Sequence, residues 1–438
     1  AYLFTETSGN PGGDNSGWQG SPTYEDTGLT TGLQYTYTVT ARDLSSNQNP
    51  TTASAAASAT AQTPIVPPVI TAPTSRHIVQ RAATNVGAIE IEGTYSVGVP
   101  ERIEARAVVM TGLGNNGTST AWQTIDAAPS ANSFSGTLTN VPAGGWYQIE
   151  VRSVINGTPS TAAVMEKVGV GDIYVTAGQS NSANFAAGQA PQDDRISART
   201  SVTDSTWQLG THPLPISNGG GGSVWTWLAN RLIAAEDIPI GLVSLGQGGS
   251  TASSWTSPGG GNYNARLKPA VQSFPVNGFR AALWHQGETD SIGGVTAATH
   301  SGYLNAMISQ SRIEAGWTIP WYLAEVSYHP SSNLSKQEPI AAGQRLSIHG
   351  DALTFFGPGT DELHLTGGGS LHFSAVGTDA HAHGWADILL GSVTATPENA
   401  DFEDHGWNQY YAPTSTGPTP LADGDSMVID LVSTSLQL

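Results

Sequence analysis

"IYVTAGQSNSAN", residues Ile173–Asn184, changes character halfway. Ile173–Ala177 reads as a largely apolar strand. Gly178–Asn184 reads as a tight polar turn that holds one serine, Ser180, between the amides Gln179 and Asn181. Apolar residues at successive positions, rather than alternate ones, mark a strand buried on both faces. Further strand candidates follow at Ile240–Leu245, Ala281–Trp284, Trp321–Val326 and Leu353–Phe356. Helical stretches lie between them at Val224–Ala235, His300–Ala315 and Pro339–Ile348, and a last helix is predicted at Ala375–Leu390. Such strands separated by helices predict a parallel sheet covered on both faces, an α/β/α three-layer unit over residues 169–394. Ligands of open parallel sheets bind beyond the carboxyl ends of the strands, and Ser180 lies just past the first of them.

The preceding sequence reads as all-β. Within residues 1–62, Gln34–Ala41 is an almost pure strand pattern, with turns supplied by Gly-Asn-Pro-Gly-Gly and by Asp43–Pro50. Gly28–Asp43 resembles the later strands of a fibronectin type III sandwich, with Leu33 and Tyr35 near the place of a corner tyrosine. About four strands fit where a full sandwich has about seven, so this domain is expected to be incomplete. Thr63-Pro-Ile-Val-Pro-Pro reads as a stiff linker. In residues 63–168, Ala88–Gly93 and Trp146–Arg152 alternate, which predicts a second β-sandwich. Residues 395–438 lose the α/β pattern and form a C-terminal extension. Asn399–Asp404 resembles the opening of a jelly-roll carbohydrate-binding module, while Met427–Val432 reads as part of a strand able to pair with the incomplete first domain.

Bulk properties exclude several functions. The 438 residues carry 16 Lys+Arg against 35 Asp+Glu, a formal charge of −19. That field repels phosphate backbones and anionic lipid heads, so nucleic acid and membrane surfaces are not expected partners; the bland account of the sign, solubility or a salty medium, is the preferred one. With no Cys there is no disulfide and no thiol chemistry. No apolar run reaches about 18 residues, so no membrane-spanning helix is expected. The chain opens at Ala1 with neither Met nor a leader, and is expected to be a processed product. No His-Glu-x-x-His occurs and no metal is expected. His381 and His383, two apart on the last helix, point to different faces and read as surface histidines.

Ser180 can present its hydroxyl to a cleft, with the N–H groups of the following turn around it; the bland alternative is a capping serine. Leu245-Gly-Gln-Gly-Gly-Ser-Thr follows the second strand, where Gly248 or Gly249 lets a backbone N–H approach an oxyanion. Leu283-Trp-His-Gln-Gly-Glu-Thr-Asp follows the third, where Gln286 can donate its amide and Glu288 can orient neighbours. All three segments end strands of one sheet and are expected to converge.

Together with Ser370-Leu-His-Phe-Ser-Ala-Val-Gly, these motifs resemble the SGNH hydrolase superfamily, and within it the carbohydrate esterases of the sialate O-acetylesterase type, over about Val168–Gly391. The resemblance implies hydrolysis of O-acetyl esters on carbohydrate without a cofactor. Ser180 would be the nucleophile, and the oxyanion hole would comprise the Ser180 N–H, Gly248 or Gly249, and Gln286. His372, just before a helix capped by Ser374, would be the base, with His364 of Asp361-Glu-Leu-His as its rival. Gly369 stands where the family has its acid. The imidazole therefore works as a Ser–His dyad, or takes a displaced acid from Asp361 or Glu288. Asn181, Trp225, Trp255 and Arg266 are the candidate substrate contacts, the rings for sugar faces and the guanidinium for a carboxylate.

The expected protein is thus a secreted or periplasmic bacterial enzyme acting on an acetylated glycan, its first β domain spacing or docking it on a polymer. A glycan-binding protein on the same scaffold and a short-chain lipase or thioesterase are the alternatives. The sugar and the oligomeric state are not legible.

Overall fold

The structure, a computed structural model, describes residues 1–61, 65–96, 98–112, 114–256, 261–361, 363 and 371–391. His364, Gly369 and the extension 395–438 lie outside the described residues.

The N-terminal strands β1 (Tyr2–Glu6), β2 (Trp18–Gln19), β3 (Gln34–Ala41) and β4 (Ala57–Thr60) form one antiparallel sheet in the order β2-β1-β3-β4. Tyr35 is buried. Its hydroxyl donates to the Pro11 carbonyl and accepts the Thr30 N–H, tying the loop before β3 to the sheet.

A second β unit holds β5 (Val69–Ala72), β6 (Ile78–Gln80), β7 (Val86–Thr94), β8 (Arg102–Val109), β9 (Gln123–Asp126), β10 (Ser133–Pro142), β11 (Gly145–Ile155) and β12 (Thr158–Pro159). β7 shows the alternation its sequence predicts: Ile89 and Ile91 are buried, and Glu90 and Glu92 between them are exposed. Those isoleucines pack with Ile103, Ala105, Phe134, Leu138, Tyr147 and Ile149 in one apolar cluster. The sheet β10-β7-β5 thereby faces the sheet containing β8 and β11.

β13 (Ala163–Gly178) joins this unit to the next. Its first half pairs antiparallel with β11, and from Asp172 onward it pairs in parallel with β16 (Ile240–Ser244) and β17 (Ala281–His285). One sixteen-residue strand thus runs through residues 168–169, where a domain boundary was expected. Asp172, at the change of partner, is held by Gln80 and Arg81 of the β6 segment.

The α/β sheet runs β15 (Trp207–Leu209), β14 (Ile196–Arg199), β16, β13, β17, β18 (Trp321–Glu325), β19 (Thr354–Gly359), parallel throughout except for the edge strand β15. Its successive side chains enter two different cores. Tyr174 and Leu242 join Trp225, Leu228 and Trp385, from α1 (Val224–Glu236) and the last helix (Ala375–Leu389). Val175 and Val243 join residues of α2 (Lys268–Gln272) and α4 (Ala297–Ala315) on the opposite face. A short α3 (Glu288–Gly293) follows β17, and α5 (Leu334–His349) lies between β18 and β19. The last helix, α6, starts at the predicted cap: Ser374 Oγ accepts the Gly377 N–H.

Candidate active site

β13 ends against β17. Gly178 has φ 131°, and a Cβ there would stand 2.0 Å from the His285 carbonyl oxygen, so only glycine fits. Ser180–Ser182 then form one 3-10 turn. The turn is closed by Ser182 N–H to the Gln179 carbonyl (3.0 Å) and Ser182 Oγ to the Ala177 carbonyl (2.8 Å). Ser180 is 5% exposed, and its hydroxyl bonds to no described residue, so it is not a cap.

Asn181 points inward. Its Nδ2 donates to Glu288 Oε1 (2.9 Å) and to the Leu371 carbonyl (3.2 Å), which precedes His372. Expected to touch substrate, Asn181 is instead buried and ties the serine turn to the histidine loop. Glu288, fully buried at the start of α3, accepts from Asn181, from the Gly287 N–H (3.1 Å) and from His285 Nε2 (3.1 Å). Burial alone would push its carboxyl up. The charge of His285 and the hydrogen bonds outweigh that and hold it below the usual carboxylate range. Behind it, His285 Nδ1 lies 3.1 Å from His381 Nε2, which also accepts Trp385 Nε1–H (2.9 Å). His381 is therefore a buried member of this chain and not a surface histidine, because it shares the inward face of α6 with Trp385 one turn on. His383 stays partly exposed beside Asp387.

The His372 ring packs on Phe185, centroids 5.0 Å apart and tilted by 31°. Phe185 fits because its neighbours are glycines: a Cβ on Gly219 or on Gly248 would come within 2.9 Å of its ring. Burial lowers the His372 pKa, and the charge of Glu288 opposes that shift. No hydrogen bond joins His372 to Ser180, Asp361 or Glu288 within the described residues. Asp361 instead accepts the N–H groups of Ser327 (2.7 Å) and Tyr328 (2.8 Å) and the Ser327 hydroxyl (2.5 Å), fixing the turn after β18. Desolvation raises its pKa despite those bonds. Neither carboxylate hydrogen-bonds to the imidazole.

The expected oxyanion donors divide. The Gly248 N–H is taken by Asn218 Oδ1 (2.8 Å). Gly249 is exposed, has φ 71° and gives its N–H to no described residue. Gln286 is fully buried. Its Nε2 is committed to Asp290 Oδ2 (2.9 Å), Gln179 Oε1 (3.3 Å) and the Ser250 carbonyl (3.3 Å), leaving no proton for a ligand.

Two substrate contacts, both tryptophans, are corrected. Trp225 and Trp255 have no exposed surface, and their indoles bond to the Ser182 carbonyl (2.8 Å) and Ser250 Oγ (2.9 Å). They brace the serine turn and the glycine loop from below and cannot stack on a sugar. Arg266, half-buried, gives its Nη1 to the carbonyls of Ile216 (2.6 Å) and Leu245 (3.3 Å), and its Nη2 bonds to no described residue. His212 likewise sits among loop groups, its Nε2 2.9 Å from Thr226 Oγ1 and its Nδ1 3.1 Å from the Ser223 nitrogen, and it accepts a backbone N–H through one ring nitrogen. Phe185 and Asn218 were not singled out from sequence. The glycine run at 219–222 was the available sign that something bulky sits close to that backbone.

The model of the family "Carbohydrate esterase, sialic acid-specific acetylesterase" matches residues 170–389, half of the chain. No curated protein matches in sequence. Among solved structures, a carbohydrate acetylesterase from Xanthomonas citri is 21% identical over 74% of this chain and 76% of its own, with a TM-score of 0.48. An Arabidopsis thaliana protein is 19% identical over 51% and 99%, with a TM-score of 0.42. An acetyl xylan esterase from the rumen bacterium Butyrivibrio proteoclasticus is 12% identical over 73% and 95%, with a TM-score of 0.32. On the family match, this chain belongs to the carbohydrate esterases of the sialic acid-specific acetylesterase family and is a carbohydrate O-acetylesterase.

Proposed function

We propose that the enzyme deacetylates a glycan by a Ser180–His372 mechanism. Ser180 Oγ attacks the acetyl carbon while His372 takes its proton, and the negative charge that develops on the carbonyl oxygen is met by the N–H groups of Ser180 and Gly249. His372 then protonates the departing sugar oxygen, and water, activated by the same imidazole, releases acetate from the acyl-serine. The observation that carries this reading is the Asn181 amide, whose bond to the Leu371 carbonyl seats the histidine loop beside the serine turn. Burial, by lowering the His372 pKa, keeps the imidazole neutral and so able to act as a base near neutral pH. With Asp361 and Glu288 both bonded elsewhere, the pair works as a dyad held by packing on Phe185 and by the pinned loop.

The substrate class is an O-acetylated polysaccharide or sialic acid. Acetate release from a panel of acetylated glycans, with Ser180→Ala as control, tests the reading. A fall of at least about 1,000-fold is expected in the variant. Equal release by the two proteins overturns the mechanism and leaves a glycan-binding role on this scaffold.

A further inference from the structure

We propose that Gln179, the residue before the nucleophile, is a catalytic residue whose side-chain amide completes the oxyanion hole in place of Gln286. This rests on the Ser180 mechanism above and adds a donor to it.

The orientation of the Gln179 amide is fixed by its neighbours. Oε1 accepts the Thr289 backbone N–H (3.0 Å), which can only donate, so the oxygen end faces α3. Gln286 Nε2 reaches the same oxygen at 3.3 Å, and its own bond to the Asp290 carboxylate identifies it as the nitrogen end. With both groups on Oε1, Gln179 Nε2 is the end turned away from α3, and it donates to no described residue. Gln179 is only 2% exposed. Its amide nitrogen thus keeps two unused protons available to a ligand.

The position of the amide is bounded on two sides. Its backbone leads directly into Ser180, and the Gln179 N–H is anchored on the His285 carbonyl (3.0 Å). Gln286 Nε2 bridges Gln179 Oε1 and the Ser250 carbonyl, which puts the amide beside the glycine turn that carries Gly249. That turn is itself anchored at the end of β13, through Gln247 N–H to the Gly178 carbonyl (2.9 Å). In the proposed arrangement the N–H groups of Ser180 and Gly249 and Gln179 Nε2, none of which bonds to a described residue, meet the carbonyl oxygen of the bound acetyl group. Gln286 serves as the buffer behind them: it takes up Gln179 Oε1 and so prevents the amide from turning its oxygen toward the developing negative charge.

Gln179→Glu is the informative variant. Its carboxylate still accepts from Thr289 and Gln286 but replaces the donor with an acceptor. Gln179→Met removes donor and acceptor at similar size. Each variant, checked by thermal melt, is assayed on p-nitrophenyl acetate and on p-nitrophenyl thionoacetate, whose sulfur accepts hydrogen bonds poorly. A loss of roughly 100- to 1,000-fold in kcat on the oxygen ester, with KM little changed, is expected for a missing oxyanion donor. The oxygen-to-sulfur rate ratio is expected to collapse toward one. A merely structural role would slow both esters equally and leave that ratio at its wild-type value, which would overturn the proposal. So would wild-type kcat in either folded variant. An inactive wild-type protein would instead overturn the underlying esterase mechanism, so the two failures are distinguishable.

Discussion

Asn181→Ala removes the one side-chain amide that joins the serine turn, the buried Glu288 and the histidine loop. The structure sets the size of the effect. The bond to Glu288 is buried and has a charged acceptor, a class that contributes about 1.5–3 kcal/mol; the longer bond to the Leu371 carbonyl is neutral and contributes about 0.5–1.5 kcal/mol. Stability should therefore fall by about 2–4.5 kcal/mol. Catalysis should fall separately. A base displaced by ~1 Å loses on the order of 100-fold, or about 2.7 kcal/mol of barrier. The assay is kcat/KM on p-nitrophenyl acetate, read beside a thermal melt of the same preparation. The expected variant melts several degrees lower yet is fully folded at assay temperature, and its kcat is reduced about 100-fold with KM nearly unchanged. A folded variant with kcat within threefold of wild type would refute the reasoning, because the loop would then hold His372 without the pin.

Two further outcomes follow from the same geometry. The base must be unprotonated, so kcat/KM rises with pH through the His372 pKa, which burial sets below its ordinary value of about 6.5. Glu288 opposes that shift by stabilising the imidazolium. Glu288→Gln therefore lowers the pKa further and moves the acid limb of the profile to lower pH, measurable between about pH 4 and 8; a limb that stays in place or moves up contradicts the assigned neighbours. Finally, a fragment 65–391 should fold and hydrolyse the ester, whereas 169–391 should not fold, since that cut splits β13 and removes β11 and the Asp172 partners Gln80 and Arg81. Circular dichroism and gel filtration decide it, and a compact, active 169–391 would contradict the shared-strand description.

The later half of β13 was legible because it is buried on both faces and so reads as a continuous apolar run. Its first half, Ala163–Val168, has one face covered and reads with period two. One strand thus changes pattern along its length, and the expected boundary at 168/169 falls at that change of environment. The strands β14 and β15 escape the sequence reading for a simpler reason: at four and three residues they are too short to show a period. Trp225 carried its own correction, since Trp225, Leu228, Ala229 and Leu232 repeat at helical spacing and mark a core face. The burial of His381 had a similar sign in Trp385 one turn on, but its partner His285, 96 residues away in sequence, did not. The motif around Ser180 points to the proposed site, but not to which amide protons remain free in it. Gln286 and Gly248 were sound by residue type and lost their roles only to Asp290, Ser250 and Asn218, neighbours that tertiary contacts supply.

The most direct test of the central claim is where a mechanism-based label lands. Diethyl p-nitrophenyl phosphate phosphorylates an activated serine, and the modified peptide is located by mass spectrometry. The account predicts one equivalent per chain, on Ser180, with loss of activity in step with labelling and slower labelling in His372→Ala. A label on any other residue, or full inactivation with Ser180 unmodified, would contradict it.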